Sequence, residues 1–191
     1  MEKAARQNNV EAQYNLGICF YHGRGTARNY EEAAQLFLAA AKQGNARAQF
    51  NFANICYFGQ GVEQSYSQAA QWYEAAANQG HLKAQLNLGN CYNKGQGVKQ
   101  DYVQAFKWYE KAAKQGDATS QNNVAAYYEN GQGVKQDFEK AVEWYKKSAE
   151  QGFAEAQNNL AVCYKKGKGV EKDCTQAVKW CRKSAEQGFA D

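Results

Sequence analysis

The stretch Gly95–Asp101 reads GQGVKQD, and the same seven residues return at Gly131–Asp137. A glycine loop of this kind has two readings. As a phosphate cradle it needs a preceding strand and a third glycine or a Gly-Lys-Ser/Thr ending. Neither is present. As punctuation it needs helices on both sides, and the flanking residues supply them. Before the loop, Ala84, Leu88, Cys91 and Tyr92 share one face at 100° per residue. After it, Tyr102, Ala105, Phe106, Tyr109, Ala112 and Ala113 do the same. Gly95 then stands where a left-handed helix stop is wanted, and Gly97 gives the turn a second permissive residue. Val98 reads as an apolar plug under the turn. Asp101 reads as the N-cap of the second helix, with Gln104 completing a capping-box pattern.

Working outward, the whole chain obeys this period. Five 36-residue repeats run 9–44, 45–80, 81–116, 117–152 and 153–188 without insertion. Residues 1–8 match the second half of a helix B, and 189–191 begin a further repeat, so the chain reads as one array cut inside a repeat at both ends. Each repeat is expected to be two antiparallel helices, A and B, joined by the glycine loop. Asn29/Glu32, Ser65/Gln68 and Asp173/Gln176 keep the capping pattern, whereas Asp137/Lys140 keeps only the cap. Each repeat closes on Gln-Gly, which stops helix B.

Composition agrees with an all-α chain. Among 191 residues there is no proline, and the mean hydropathy is -0.81. No apolar run approaches the ~18–20 residues that a membrane helix needs. The start, MEKAARQNNVEAQ, lacks the apolar centre of a signal peptide, which leads us to expect a cytoplasmic protein, or a periplasmic or secreted one if a signal was removed. The net charge of +4 is mild, with Glu interspersed among Lys. That argues against a dedicated nucleic-acid binder.

The pattern Ala-Gln-x-Asn-Leu-Gly, the loop Gly-x-Gly-Val, and Asp-x-x-x-Ala-x-x-Trp-Tyr-x-x-Ala-Ala followed by Gln-Gly resembles the Sel-one-like repeat family, relatives of tetratricopeptide repeats. It is clearest over Ala84–Gly116 and extends over essentially the whole chain. The resemblance implies a right-handed α-solenoid of stacked helix pairs with helix A on the concave side. It implies a non-enzymatic scaffold for proteins or peptides, often in bacterial signalling, envelope assembly or host interaction. Departures fall in the end repeats. Thr26 replaces the loop valine, Leu36 the tryptophan seen at Trp72, Trp108, Trp144 and Trp180, and Cys174 and Cys181 two aromatics of helix B.

Six cysteines raise the question of disulfides or metal. Cys19, Cys91 and Cys163 share a repeat position two repeats apart, too far for the ~4.4–6.8 Å Cα separation of a disulfide. Cys174 and Cys181 lie two turns apart on one helix, roughly 10.5 Å along its axis. All six are therefore expected as free thiols. His22 and His81 fall in different repeats, and no cofactor motif, metal set or catalytic constellation stands out.

Function should then reside in the surface of helix A. The outward residues of the first three repeats include Tyr14, Ile18, Tyr21 and His22, then Phe50, Asn51, Asn54, Tyr57 and Phe58, then Leu86, Asn87 and Asn90. The fourth and fifth offer Asn122, Asn123, Asn158, Asn159, Lys165 and Lys166 instead. Aromatics concentrated in the first two repeats suggest anchors for a bound peptide or protein, not a small-molecule substrate. One asparagine recurs as Asn15, Asn51, Asn87, Asn123 and Asn159. It can clamp a ligand backbone, or bond between repeats to backbone. Two other functions compete: an RNA-binding helical repeat, supported by the lysines around Lys165–Lys183, and a regulatory or inhibitory subunit wrapping an enzyme. Finally, no helix A follows the last helix B, so Ala177, Val178 and Cys181 lack their usual cover. This predicts downstream sequence or self-association through that end.

Overall fold

The computed structural model describes residues 5 and 7–188. The partial repeat expected at 1–8 and the start expected at 189–191 lie largely or wholly outside them. Among the described residues are ten helices and no strand. In chain order they are α1 (Val10–His22), α2 (Tyr30–Lys42), α3 (Ala46–Phe58), α4 (Tyr66–Asn78), α5 (Leu82–Lys94), α6 (Tyr102–Lys114), α7 (Ala118–Asn130), α8 (Phe138–Glu150), α9 (Ala154–Lys166) and α10 (Cys174–Ala185). Odd-numbered helices are the A helices, even-numbered the B helices. The chain divides into two compact blocks, Met1–Gln100 and Asp101–Asp191. Within each, successive helices pack as antiparallel hairpins and hairpin stacks on hairpin. The architecture is all-α, a helical-repeat solenoid fold.

The loop residues act largely as their chemistry dictates. Gly95 is left-handed at φ 68° and its amide bonds the Cys91 carbonyl, ending α5. The second glycine has a stricter duty. A Cβ at Gly97 would overlap the backbone at Tyr66, the first residue of α4, so glycine allows the loop to lie on the neighbouring hairpin. Gly133 meets Tyr102 in the same way, and Gly169 meets Phe138. Asn29, Ser65, Asp101, Asp137 and Asp173 all cap B helices through their side chains.

The return half of the capping box is replaced. The cap residue's own amide instead donates to helix A: Asn29 to the Phe20 carbonyl, Ser65 to Cys56, Asp137 to Tyr128 and Asp173 to Tyr164, at 2.9–3.0 Å. With that donor satisfied, the residue three positions on has nothing to reach back to. Gln68 accepts from the Cys56 thiol instead, at 3.8 Å.

The core is built from alanines, from A-helix side chains such as Ile55, Leu88, Val124 and Leu160, and from a ring at one repeat position of the first four B helices. Phe37, Tyr73, Tyr109 and Tyr145 are all buried. Full burial of such a ring is worth roughly 1.5–3 kcal/mol. The facing A helix must be thin to admit it: a Cβ on Gly17 would stand 2.8 Å from the Phe37 ring. Ala33, Ala69, Ala105, Ala141 and Ala177 occupy one repeat position and are all buried. This corrects the expectation for Ala177. Its small side chain lies at the seam of its own hairpin and needs no following repeat, whereas Val178 is 51% exposed and Cys181 is also open.

Polar residues join hairpin to hairpin. Gln13, Gln49, Gln85, Gln121 and Gln157 are buried in the A helices. Each donates its side-chain amide to a carbonyl eight residues earlier; Gln49 Nε2 to the Ala41 oxygen spans 3.2 Å. Gln43, Gln79, Gln151 and Gln187, the residues before the helix-B stop glycines, donate back to Gln13, Gln49, Gln121 and Gln157 at 2.7–2.9 Å. Both ends of these four buried amides are thereby satisfied, which removes the desolvation cost that a lone buried amide would carry.

Candidate functional site

In the N-terminal block, α1 and α3 lie in adjacent hairpins. Ile18, Tyr21 and His22 stand one helical turn apart on α1, as do Asn51 and Asn54 on α3. These five residues line a cleft of about 180 Å3. His22 is exposed and the others are half-buried. The lining therefore mixes an apolar chain, a phenol, an imidazole and two amides, without carboxylate, ammonium or guanidinium.

The floor of the cleft is fixed from behind. The buried Tyr73 hydroxyl donates to Asn54 Oδ1 at 2.6 Å. Asn87 Nδ2 approaches the same oxygen at 3.4 Å and also bonds the Tyr73 hydroxyl. Burial holds the Tyr73 phenol protonated far above its ordinary range, so it remains a donor. Asn54 thus has its carbonyl engaged and its amino group unspent. The Asn51 side chain makes no hydrogen bond among the described residues.

Tyr21 and Tyr57 serve two purposes. Tyr21 donates its hydroxyl to Gln60 Oε1 and Tyr57 donates to Gln96 Oε1, both at 2.8 Å. Each bond joins the end of an A helix to the next repeat's loop. Burial, then the neighbouring Tyr30, raises the Tyr21 pKa. In the C-terminal block the same repeat positions hold Glu129 and Lys168, which form an ion pair at 3.6 Å. The rings of Tyr21 and Tyr57 remain half-buried, so their edges and oxygen lone pairs, not their hydroxyl protons, are left for a ligand.

The other expected residues are placed as follows. Phe58 is 61% exposed and stands edge-on to Tyr57, which stands edge-on to Tyr66. Phe50 is stacked on His81 at 4.7 Å, so its face is largely spent on packing. His81 in turn caps α5 through Nδ1, and burial lowers its pKa. Tyr14 is roofed by the Arg47 guanidinium at 4.7 Å, which also pairs with Glu11. Leu86, Asn87 and Asn90 are half-buried on α5. One repeat beyond the cleft, the equivalent positions are Asn54, Tyr57, Phe58, Asn87 and Asn90. The cleft residues and these five therefore share repeat positions on α1, α3 and α5.

The recurring asparagine is not uniform. Asn87 and Asn159 bond a side-chain amide of the preceding repeat, Asn54 and Asn122 respectively, rather than backbone. Asn122, expected on the open face, is 3% exposed. The bond from Asn159 accounts for its burial, since a paired amide tolerates being enclosed. The buried glutamines were visible in the sequence only as the Gln of Ala-Gln, or Ser-Gln at Gln121; their recurrence was the signal that could have found them.

The six cysteines are free: Cys56, Cys91 and Cys163 buried, Cys19 half-buried, Cys174 and Cys181 exposed. Among the described residues no three His, Cys, Asp or Glu side chains are grouped to hold a metal ion. No described helix is long and apolar enough to cross a membrane.

The Sel1 repeat profile matches residues 10–45, 46–81, 82–117, 118–153 and 154–189. No curated protein matches the chain. Among solved structures, the chain is similar to a protective antigen of uropathogenic Escherichia coli displaying an SLR fold, with 37% identity and a TM-score of 0.95 over 98% of this chain. It spans only 40% of that protein's length. A Sel1 repeat protein from Oxalobacter formigenes is 38% identical, with a TM-score of 0.89 over 96% of this chain and 73% of that one. The cysteine rich protein B of Helicobacter pylori is more distant, at 26% identity and a TM-score of 0.52 over 65% of this chain and 90% of that one. Sel1 repeat proteins are generally non-enzymatic scaffolds for protein interaction. With its five matched repeats the chain belongs to the Sel1 repeat family.

Proposed function

We propose that this protein holds a peptide or an extended segment of a protein partner along the A helices of its N-terminal block. The observation that carries this reading is the uncharged cleft of Ile18, Tyr21, His22, Asn51 and Asn54, continued one repeat on by the exposed ring of Phe58. Hydrogen-bonding amides beside exposed apolar and aromatic edges are what an extended peptide engages. The equivalent residues further along the chain, such as Lys165 and Lys166, lack this combination.

A random peptide library displayed against the intact chain tests the reading. Selected peptides should lose more than about 1 kcal/mol of affinity on Phe58→Ala and on Ile18→Ala. Lys165→Ala with Lys166→Ala should leave them unchanged. Peptides that tolerate both N-terminal changes but fail with the lysine variant would move the site to the C-terminal block and overturn the proposal.

A further inference from the structure

We infer that the cleft selects a peptide group by its carbonyl oxygen, with Asn54 as an obligate hydrogen-bond donor and Tyr73 as the residue that holds it so. An asparagine is ordinarily ambivalent, since its carbonyl accepts and its amino group donates. Here the ambivalence is removed. Asn54 Oδ1 accepts from the Tyr73 hydroxyl at 2.6 Å and from Asn87 Nδ2 at 3.4 Å. A flip of the Asn54 amide would turn its amino group toward Asn87 Nδ2, setting donor against donor, and would break the short bond from Tyr73. The amino group is therefore the part left for the cleft that Asn54 lines.

The remaining lining restricts the acceptor further. Tyr21 has spent its proton on Gln60, so its oxygen offers the cleft only lone pairs. Asn51 is unengaged and can accept an N–H one turn from Asn54. A donor and an acceptor one helical turn apart match the C=O and N–H of an extended chain better than a group with a single polarity. No ammonium or guanidinium lines the cleft to neutralise a carboxylate. A carboxylate there would be desolvated without a counter-charge, which a neutral carbonyl avoids. A backbone amide within a chain, not a chain terminus, is the ligand chemistry this arrangement fits. This inference rests on the groove reading above but concerns the polarity of one site within it.

The test uses three probes of one shape: N-acetyl-leucine methylamide, N-acetyl-leucine, and leucine methylamide, which lacks the acyl carbonyl and carries an ammonium. Each is titrated into the whole chain labelled with nitrogen-15 on asparagine side chains. The doubly blocked probe should shift the Asn54 and Asn51 amide signals and bind at least about tenfold tighter than either charged probe. Asn54→Asp keeps the acceptor that Tyr73 and Asn87 require but removes the donor. It should weaken the blocked probe at least about tenfold and favour the ammonium. Tyr73→Phe removes the shorter of the two bonds that fix the Asn54 amide, leaving only Asn87 at 3.4 Å, and should reduce the preference between blocked and ammonium probes, which a purely structural tyrosine would not do.

Tighter binding of leucine methylamide to the natural protein, or binding of the blocked probe with the Asn54 signal unmoved, would overturn the assignment. If library peptides depend on Phe58 yet are indifferent to Asn54→Asp, the groove stands and this inference fails. If the blocked probe moves Asn54 while no peptide depends on the groove, the polarity stands and the peptide-binding function fails.

Discussion

Replacing Ser120 by alanine should make this protein more stable. Ser120 is 0% exposed, on the first turn of α7, and its hydroxyl has no hydrogen-bond partner among the described residues. The other four repeats carry alanine at that position: Ala12, Ala48, Ala84 and Ala156. Removing a buried hydroxyl that bonds nothing recovers its desolvation cost, about 1–3 kcal/mol. The vacancy left by one oxygen, roughly 10–15 Å3, costs only about 0.3 kcal/mol at about 24 cal/mol per Å3. Helix propensity adds up to about 0.5 kcal/mol in alanine's favour. The net gain is about 1–3 kcal/mol, which a urea slope of about 2–3 kcal/mol/M turns into a midpoint shift of roughly 0.3–1.5 M.

Ser148 is the control. It is equally buried, but its hydroxyl donates to the Ala118 carbonyl at 2.7 Å. Ser148→Ala should lower stability by about 0.5–1.5 kcal/mol. Equilibrium urea unfolding of the two variants, followed by circular dichroism, compares them directly. The same substitution on neighbouring helices should thus act with opposite sign. A lowered midpoint for Ser120→Ala would refute the reasoning, because it would mean that the hydroxyl is bonded in the folded protein.

Two glycines that look alike in the loop should respond differently. Gly25→Ala meets open space and should cost only left-handed strain, about 1–2 kcal/mol, whereas Gly97→Ala must also displace the Tyr66 backbone and should cost several times more in unfolding midpoint. Timed alkylation read by mass spectrometry should label Cys174 and Cys181 first. Cys56, Cys91 and Cys163 should lag, because burial pushes their thiols up to about 11 and leaves little thiolate at neutral pH. Those three thiols also predict alkaline lability. Between their ordinary value near 9.0 and about 11 the unfolded chain releases protons that the folded one keeps, so stability should fall across that window, and less steeply if the three are changed to alanine, with the buried tyrosines accounting for the remainder.

Most of the fold was legible because its signals are local. Gly95 and Asp101 announce a stop and a start within seven residues, and the period then multiplies that signal. What lay between helices was harder. The Gln43–Gln13 bond joins residues thirty positions apart, and nothing in the apolar periodicity of either helix marks them as partners. Tyr21 and Tyr57 were legible as outward aromatics, but the use of their hydroxyls depends on Gln60 and Gln96 in the following loops. Asn122 was placed on the open face by helical spacing alone, and the amide that encloses it belongs to another repeat. The candidate cleft was readable as a set of residues on one face; the polarity of Asn54 was not, because it is decided by Tyr73 on the B helix behind it.

The two kinds of rung between hairpins bear on how such a chain can change over generations. The glutamine rung has the same chemistry wherever it is seen, so a duplicated or lost repeat meets its new neighbour with the partner it already had. The loop rung is not interchangeable. A segment ending in Tyr57 presents a phenol to the next loop, whereas one ending in Glu129 presents a carboxylate and expects a lysine. Recombination between such segments would keep the shared amide rung but leave Glu129 facing Gln60 or Gln96, or Tyr57 facing Lys168. The array can therefore lengthen or shorten freely by whole repeats, while the order of its members is recorded in the loops.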